Sequence, residues 1–432
     1  MSVSVAFRTN TALLGLAALA ALAACSGSGG PPVAPIRTSG STPTSTATTA
    51  PTAASSATPL STPAPTATPA RTAGPTSSPA PTSTPVSTAT PAPTATPVPT
   101  TTPSTAPTTA GCPFSITEYP LPNASSQPKN IVAGSDGALW FTDPGTNSIG
   151  RITTASQTVT EYPIPTASSN PFGIVAGPDG NLWFTEMDAG KVGRITTGGQ
   201  IVEYTSANFF RPWNIAVGPD GELWFTDYSS GAVGEISTSG VGSPEYAVPG
   251  EGAGNDREPF GLVDGPDNAM WITDFANGFI DRMTSAGTVT NSYVLGGNSE
   301  PDYIAVGPDG ALWFTLSFEY AIGRITTGGT VSYYTTSETV GGPYSTGIAA
   351  GADGSMWFTL NAYAIGRVTS AGTVQECSTP THLVNGVTSL PFGITAGPDS
   401  AMWFTENVAG KIGRIPVTGT SPVARRRAFD LR

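Results

Sequence analysis

The chain has 432 residues, among them 51 glycines, 42 prolines, three cysteines and one histidine, and its formal net charge is −12. That acidic balance excludes a nucleic-acid partner. One histidine and three scattered cysteines leave no Cys/His zinc spacing, and they allow at most one Ser/His/Asp set.

Residues 1–24 have a polar start containing Arg8, followed by an Ala-rich apolar run too short to span a membrane, which is the form of an export signal. The run ends in Leu22-Ala23-Ala24-Cys25, which resembles the lipobox of bacterial lipoproteins. The resemblance implies that Cys25 carries lipid and becomes the mature N-terminus of an extracytoplasmic, membrane-anchored protein. The alternative is an ordinary signal peptide that ends in Cys. From 25 to 110 the chain is Thr, Pro, Ala and Ser with only Arg37 and Arg71 charged. Such a stretch cannot bury enough apolar surface to fold, so a disordered, partly polyproline II stalk is expected. Its Ser/Thr/Pro bias suits O-glycosylation.

From 111 to 418 one motif returns seven times, marked by Trp140, Trp183, Trp224, Trp271, Trp313, Trp357 and Trp403, at intervals of 41 to 47 residues. The clearest copy reads Pro171-Phe-Gly-Ile-Val-Ala-Gly-Pro-Asp-Gly-Asn-Leu-Trp-Phe-Thr-Glu186 and then Lys191-Val-Gly-Arg-Ile-Thr-Thr197. Each copy holds four short apolar runs punctuated by Gly, Pro, Asp and Ser. That predicts four antiparallel strands per copy and an all-β, seven-bladed propeller. The Pro-Asp-Gly between the first two runs is hairpin chemistry, which assigns Asp136, Asp179, Asp220, Asp267, Asp309, Asp353 and Asp399 to turns. The Trp-Phe pair packs blade on blade, because one sheet cannot bury both its faces alone. Arg151, Arg194, Arg324, Arg367 and Arg414 recur at one strand position, and pairing between blades is expected of them.

The last copy stops after its third strand, while an orphan segment at 115–119 matches the fourth strand of other copies. The N-terminal segment is therefore expected to complete blade seven and lock the ring. Cys112 and Cys377 both lie near that closure, and an exported compartment permits a bridge. Mapped on the strands, however, they fall at opposite ends of neighbouring outer strands, against a Cα separation limit of roughly 7 Å; the pairing stays open. Residues 419–432 form a tail with Arg425-Arg426-Arg427, either solvated or touching an anionic polymer.

The start of strand one and the end of strand two share one face of the ring. That face collects Asp143, Glu186, Asp227, Asp274 and Glu406, with Leu316 and Leu360 at the two other equivalent positions. Five converging carboxylates suit Mg²⁺ or Ca²⁺, or else form a solvated acidic rim. The strand-one starts add Lys129, Phe172, Trp213, Phe260, Asp302, Thr346 and Phe392. Phe172, Trp213, Phe260 and Phe392 either stack a sugar or planar ligand or cap the channel as core. The single His382 lies in an insert before blade seven, where an incidental surface role is the commoner case. No organic cofactor is expected.

The Pro-Phe-Gly-Ile, Gly-Pro-Asp-Gly, Leu-Trp-Phe-Thr-Glu and Ile-Gly-Arg-Ile-Thr elements of all seven copies resemble the virginiamycin B lyase (streptogramin B lyase) family. The resemblance implies a seven-bladed propeller that opens a cyclic depsipeptide by Mg²⁺-dependent elimination at an ester. It also implies a His base in a Glu-Pro-His-Gly motif and a Glu after the Trp-Phe pair. Here Glu258-Pro259 and Glu300-Pro301 keep the first half of that motif, but Phe260 and Asp302 stand at the histidine positions. Glu186 and Glu406 match the metal-side Glu in blades whose base position holds Phe172 or Phe392.

Three functions remain open. The first is a monomeric surface lipoprotein that binds a small molecule, glycan or envelope component at an acidic and aromatic mouth, touching the membrane only through its anchor. The second is a metal-dependent lyase or hydrolase using a carboxylate base, Asp302 or Glu300, with Glu258 beside it. The third is a structural or interaction module.

Overall fold

The computed structural model describes residues 112–206, 209–248, 257–296, 299–337, 345–360, 362–381 and 388–417. The export signal, Cys25, the stalk, His382 and the basic tail lie outside the described residues. Within them the chain forms seven separate four-stranded antiparallel sheets and no helix. Blade two shows the pattern: Pro171–Ala176, Leu182–Glu186, Lys191–Ile195 and Ile201–Thr205 pair in that order. Between the first two strands, Gly180 takes φ 78° at the end of the Pro-Asp-Gly turn. Asn268 and Ser400 adopt the same left-handed region where glycine is missing from the equivalent turns, so the turn geometry is imposed by the sheet rather than by glycine alone.

The ring closes as the sequence predicts. Thr117–Pro120 pairs antiparallel with Lys411–Ile415, and with Met402–Glu406 and Pro391–Ala396 it makes up blade seven. Tyr119 of this strand stacks on Trp403 at 5.8 Å, as Tyr162 stacks on Trp140 and Tyr204 on Trp183 in blades built from consecutive strands. The segment before it lies against blade six: Phe114 packs edge-on to Trp357, and Cys112 is bonded to Cys377 with a Cα separation of 5.2 Å. Strand mapping alone puts the two cysteines at opposite strand ends. The chain instead crosses back over blade six before it enters blade seven, which brings them together.

Tryptophan and phenylalanine divide the work of joining blades. Trp140 packs with Ile174 and Phe184 of the following blade, while Phe141 packs with Trp403 of the preceding one. The Phe ring needs the glycine of Ile-Gly-Arg opposite it, since a Cβ on Gly150 would lie 2.0 Å from Phe141 Cζ. The recurrent arginines pair within their own blades, not between blades. Arg151, Arg324, Arg367 and Arg414 reach the turn aspartates Asp136, Asp309, Asp353 and Asp399 at 2.7 to 2.9 Å. The same aspartates accept the indole N–H of the blade's tryptophan. The reason is register: Trp140 faces Arg151 across the strand pair, so one turn carboxylate reaches both. Arg194 is the exception and lies over the rings of Trp183 and Tyr204.

Candidate functional site

The threonine of each Trp-Phe-Thr builds the mouth. Its buried hydroxyl donates to the strand-one carbonyl of the next blade: Thr142 to Phe172, Thr185 to Trp213, Thr226 to Phe260, Thr273 to Asp302, Thr315 to Thr346, Thr359 to Phe392 and Thr405 to Lys129, at 2.5 to 2.9 Å. The same oxygen accepts a strand-one N–H of its own blade, for example from Gly173 at 2.8 Å. Seven hydroxyls thus stitch neighbouring inner strands together and fix the backbone of all seven residues at the strand-one starts. Sequence reasoning missed this role, although a threonine two residues after the marker tryptophan in all seven copies was its visible signal.

Those residues do not ring an open acidic channel. Phe172, Trp213, Phe260 and Phe392 form one buried cluster with Met187, and Tyr228, Phe275 and Tyr303 pack against it. Phe172 and Trp213 have ring centroids 4.1 Å apart, and Phe260 stacks on the half-exposed Phe275 at 4.5 Å. Lys129 Nζ lies over Phe392 at 4.6 Å and Phe172 at 5.4 Å. Asp302 is buried in the fifth blade, and burial pushes its carboxyl up to about 8, so it holds its proton at neutral pH.

The five predicted metal carboxylates do not converge. Each is fully buried in its own blade, and the three aspartates cap the loops that enter theirs. Asp143 accepts the Gln127 amide, Asp227 accepts the amides of Phe210, Arg211, Ser229 and Ser230, and Asp274 takes the Glu258 amide and the buried guanidinium of Arg257. Glu186 lies beside Glu203 of its blade's outer strand, and burial with that neighbouring charge raises it to about 8. Glu406 lies beside Glu118 and is raised well above the ordinary range, chiefly by burial. The physical reason is strand alternation. The residue after Trp-Phe-Thr points into the blade, and the next one turns to the axis. Met187, Tyr228 and Phe275 are those next residues, and they line the mouth where the acids were expected. Among the described residues no group of three or more His, Cys, Asp or Glu side chains is placed to hold a metal ion, so these five carboxylates do not fit one shared Mg²⁺ or Ca²⁺.

The carboxylates at the mouth are others. Glu258 accepts the Tyr228 hydroxyl at 3.2 Å. Glu300 is raised to about 7 by burial first and then by the charges of Glu258 and Glu319. The structure therefore brings Glu258 and Glu300 together at the rim of blades four and five. The aromatic cluster holds the four ligand-binding candidates, and Asp302, the third catalytic candidate, is buried.

Comparison with known proteins gives this architecture a family. The virginiamycin B lyase family profile matches residues 108–255 and 243–425. The chain belongs to the virginiamycin B lyase family. A streptogramin B lyase structure is 32% identical over 71% of this chain and 98% of its own length, with a TM-score of 0.63. A catalytically inactive His-to-Ala variant of virginiamycin B lyase from Staphylococcus aureus, solved with quinupristin, is 32% identical over 71% of this chain and all of its own, with a TM-score of 0.62. Hydrazine synthase from Kuenenia stuttgartiensis, 14% identical with a TM-score of 0.57 over 68% of this chain and 96% of its own, shares the propeller fold alone. No curated protein matches the sequence. Within the family, this chain carries no histidine at any of the seven strand-one starts, where Lys129, Phe172, Trp213, Phe260, Asp302, Thr346 and Phe392 stand instead.

Proposed function

We propose that this family member is a surface-anchored binding protein whose mouth takes up a small ligand with a planar or sugar ring and does not carry out the family's elimination. One observation carries the reading. Where the motif has its histidine, Phe260 is stacked on Phe275 and packed against Trp213 at 5.0 Å. A base must reach the proton it removes, and an aromatic ring has no lone pair to offer. The other histidine position holds Asp302, kept neutral by burial. What replaces the base is a wall of half-exposed rings, Tyr228 and Phe275, above a buried aromatic floor, the usual make-up of a ring-stacking site. The Leu-Ala-Ala-Cys25 signal, the Pro/Thr-rich stalk and the Cys112–Cys377 bridge fit an exported, lipid-anchored monomer that presents this mouth to an envelope component or a diffusible molecule.

A second reading has its own support. Glu300, raised to about 7 beside Glu258, is tuned as a general base would be at neutral pH. Incubating the full mature protein with quinupristin and Mg²⁺ separates the two. Saturable binding with the depsipeptide recovered intact is the expected result. Accumulation of a ring-opened product, lost in Glu300→Gln, would replace the binding reading by a lyase with a carboxylate base.

A further inference from the structure

Lys129 stands apart from the other cations of the propeller. The chain has three lysines. Lys191 is ion-paired with Glu203 and Lys411 with Glu118, each at the outer edge of its blade. Lys129 sits at the inner edge of blade one, and among the described residues its ammonium meets only the faces of Phe172 and Phe392. Its backbone is pinned on both sides. Its N–H donates to the Thr142 carbonyl at 2.8 Å, and its own carbonyl accepts from Thr405 and from Gly393. The side chain is half-buried, and among the described residues no carboxylate pairs with its three N–H donors. The rim carboxylates Glu258 and Glu300 belong to blades four and five, three blades away either way round the ring.

Rings stabilise an ammonium through their quadrupole, but they accept no N–H in line. Burial without a counter-charge also pushes the Lys129 amine down to about 8; a bound anion would relieve that cost. The charge of the ligand follows from the count. One ammonium in a desolvated, ring-lined site neutralises a single negative charge, whereas a dianion or polyanion would leave charge unpaired against a strongly acidic propeller.

We propose that the mouth recognises an organic monocarboxylate, with the carboxylate on Lys129 Nζ and the apolar or ring-bearing body above the buried aromatic cluster, towards the half-exposed Tyr228 and Phe275. This rests on the binding reading above and reverses the charge expected from the sequence, in which an acidic rim called for a cation.

Titration calorimetry of the full mature protein with phenylacetate, phenylacetamide and phenethylamine tests it, repeated on Lys129→Met and Lys129→Arg. Phenylacetate is expected to bind about tenfold tighter than the isosteric amide, the size of one charge-assisted contact. The advantage should vanish in Lys129→Met and survive in large part in Lys129→Arg. Equal affinity for acid and amide, or a preference for the amine, would overturn the proposal and leave Lys129 as a cover for the aromatic faces. Failure of all three probes on the wild-type protein would instead remove the binding mouth itself.

Discussion

The bond between Cys112 and Cys377 offers the sharpest test of how the ring is held. The two cysteines are 265 residues apart, and the loop they close contains blades one to six. For a loop of that length the chain-entropy account gives about 5.6 kcal/mol at 25 °C. With an unfolding entropy of about 2.1 cal/mol/K per residue over roughly 300 residues, that is a loss of about 9 °C in midpoint. The double substitution Cys112→Ser/Cys377→Ser, followed by scanning calorimetry under non-reducing conditions, should show a drop of that order. The closing strand should feel it first, because Phe114 and the Thr117–Pro120 strand are the next contacts after the bridge. Hydrogen exchange at the amides of Thr117, Glu118 and Tyr119 should therefore accelerate more than exchange in blades two to five. A midpoint shift under about 2 °C, or peptide mapping that finds both cysteines alkylated without reductant, would refute the reasoning.

Three further outcomes follow from the blade interiors. Thr226→Val, nearly isosteric, leaves the Phe260 carbonyl and the Asn214 amide without their shared partner and should cost about 1–3 kcal/mol in denaturant unfolding; an unchanged midpoint would show that the hydroxyl ring is dispensable. Gly193→Ala would place a Cβ 2.1 Å from Phe184 Cζ, and overpacking of this kind should lower stability by about 1–3 kcal/mol, measurable in the same unfolding curve. Glu186 holds its proton up to about 8 in the folded chain, while the unfolded chain releases it near 4.5, so the native state binds more protons between those values. Stability should therefore fall with rising pH across that window, by up to about 1.4 kcal/mol per unit. Glu186→Gln should make the profile shallower by that amount, the remaining slope coming from Asp302 and Glu300, and a variant profile as steep as the wild type would show that the Glu186 carboxyl is ionised in place.

Periodicity made the fold legible. Seven tryptophans at blade spacing, turn aspartates and a missing fourth strand in the last copy specify the ring and its closure, because each is a local signal repeated at one structural position. The arginines misled for the opposite reason. Repetition shows that a pairing is structural, but not with which neighbour, and only the Trp140 to Arg151 register shows that one turn aspartate serves both within the blade.

At the mouth the error was one residue wide. In a strand a single step changes the face, so the carboxylate after each Trp-Phe-Thr and the residue following it have opposite surroundings although they adjoin in sequence. Glu186 is enclosed in its blade beside Glu203 while Met187 joins the floor of the mouth. The same point disposes of net charge as a guide to the ligand. Most turn aspartates are neutralised by arginines of their own blades, and the strand-two carboxylates are enclosed beneath the entering loops. The propeller's acidity thus resides largely in its turns and blade interiors. What faces the axis is decided by a handful of positions at which the repeat departs from itself, and Lys129, in a place held by phenylalanine in three of the seven blades, is one of these.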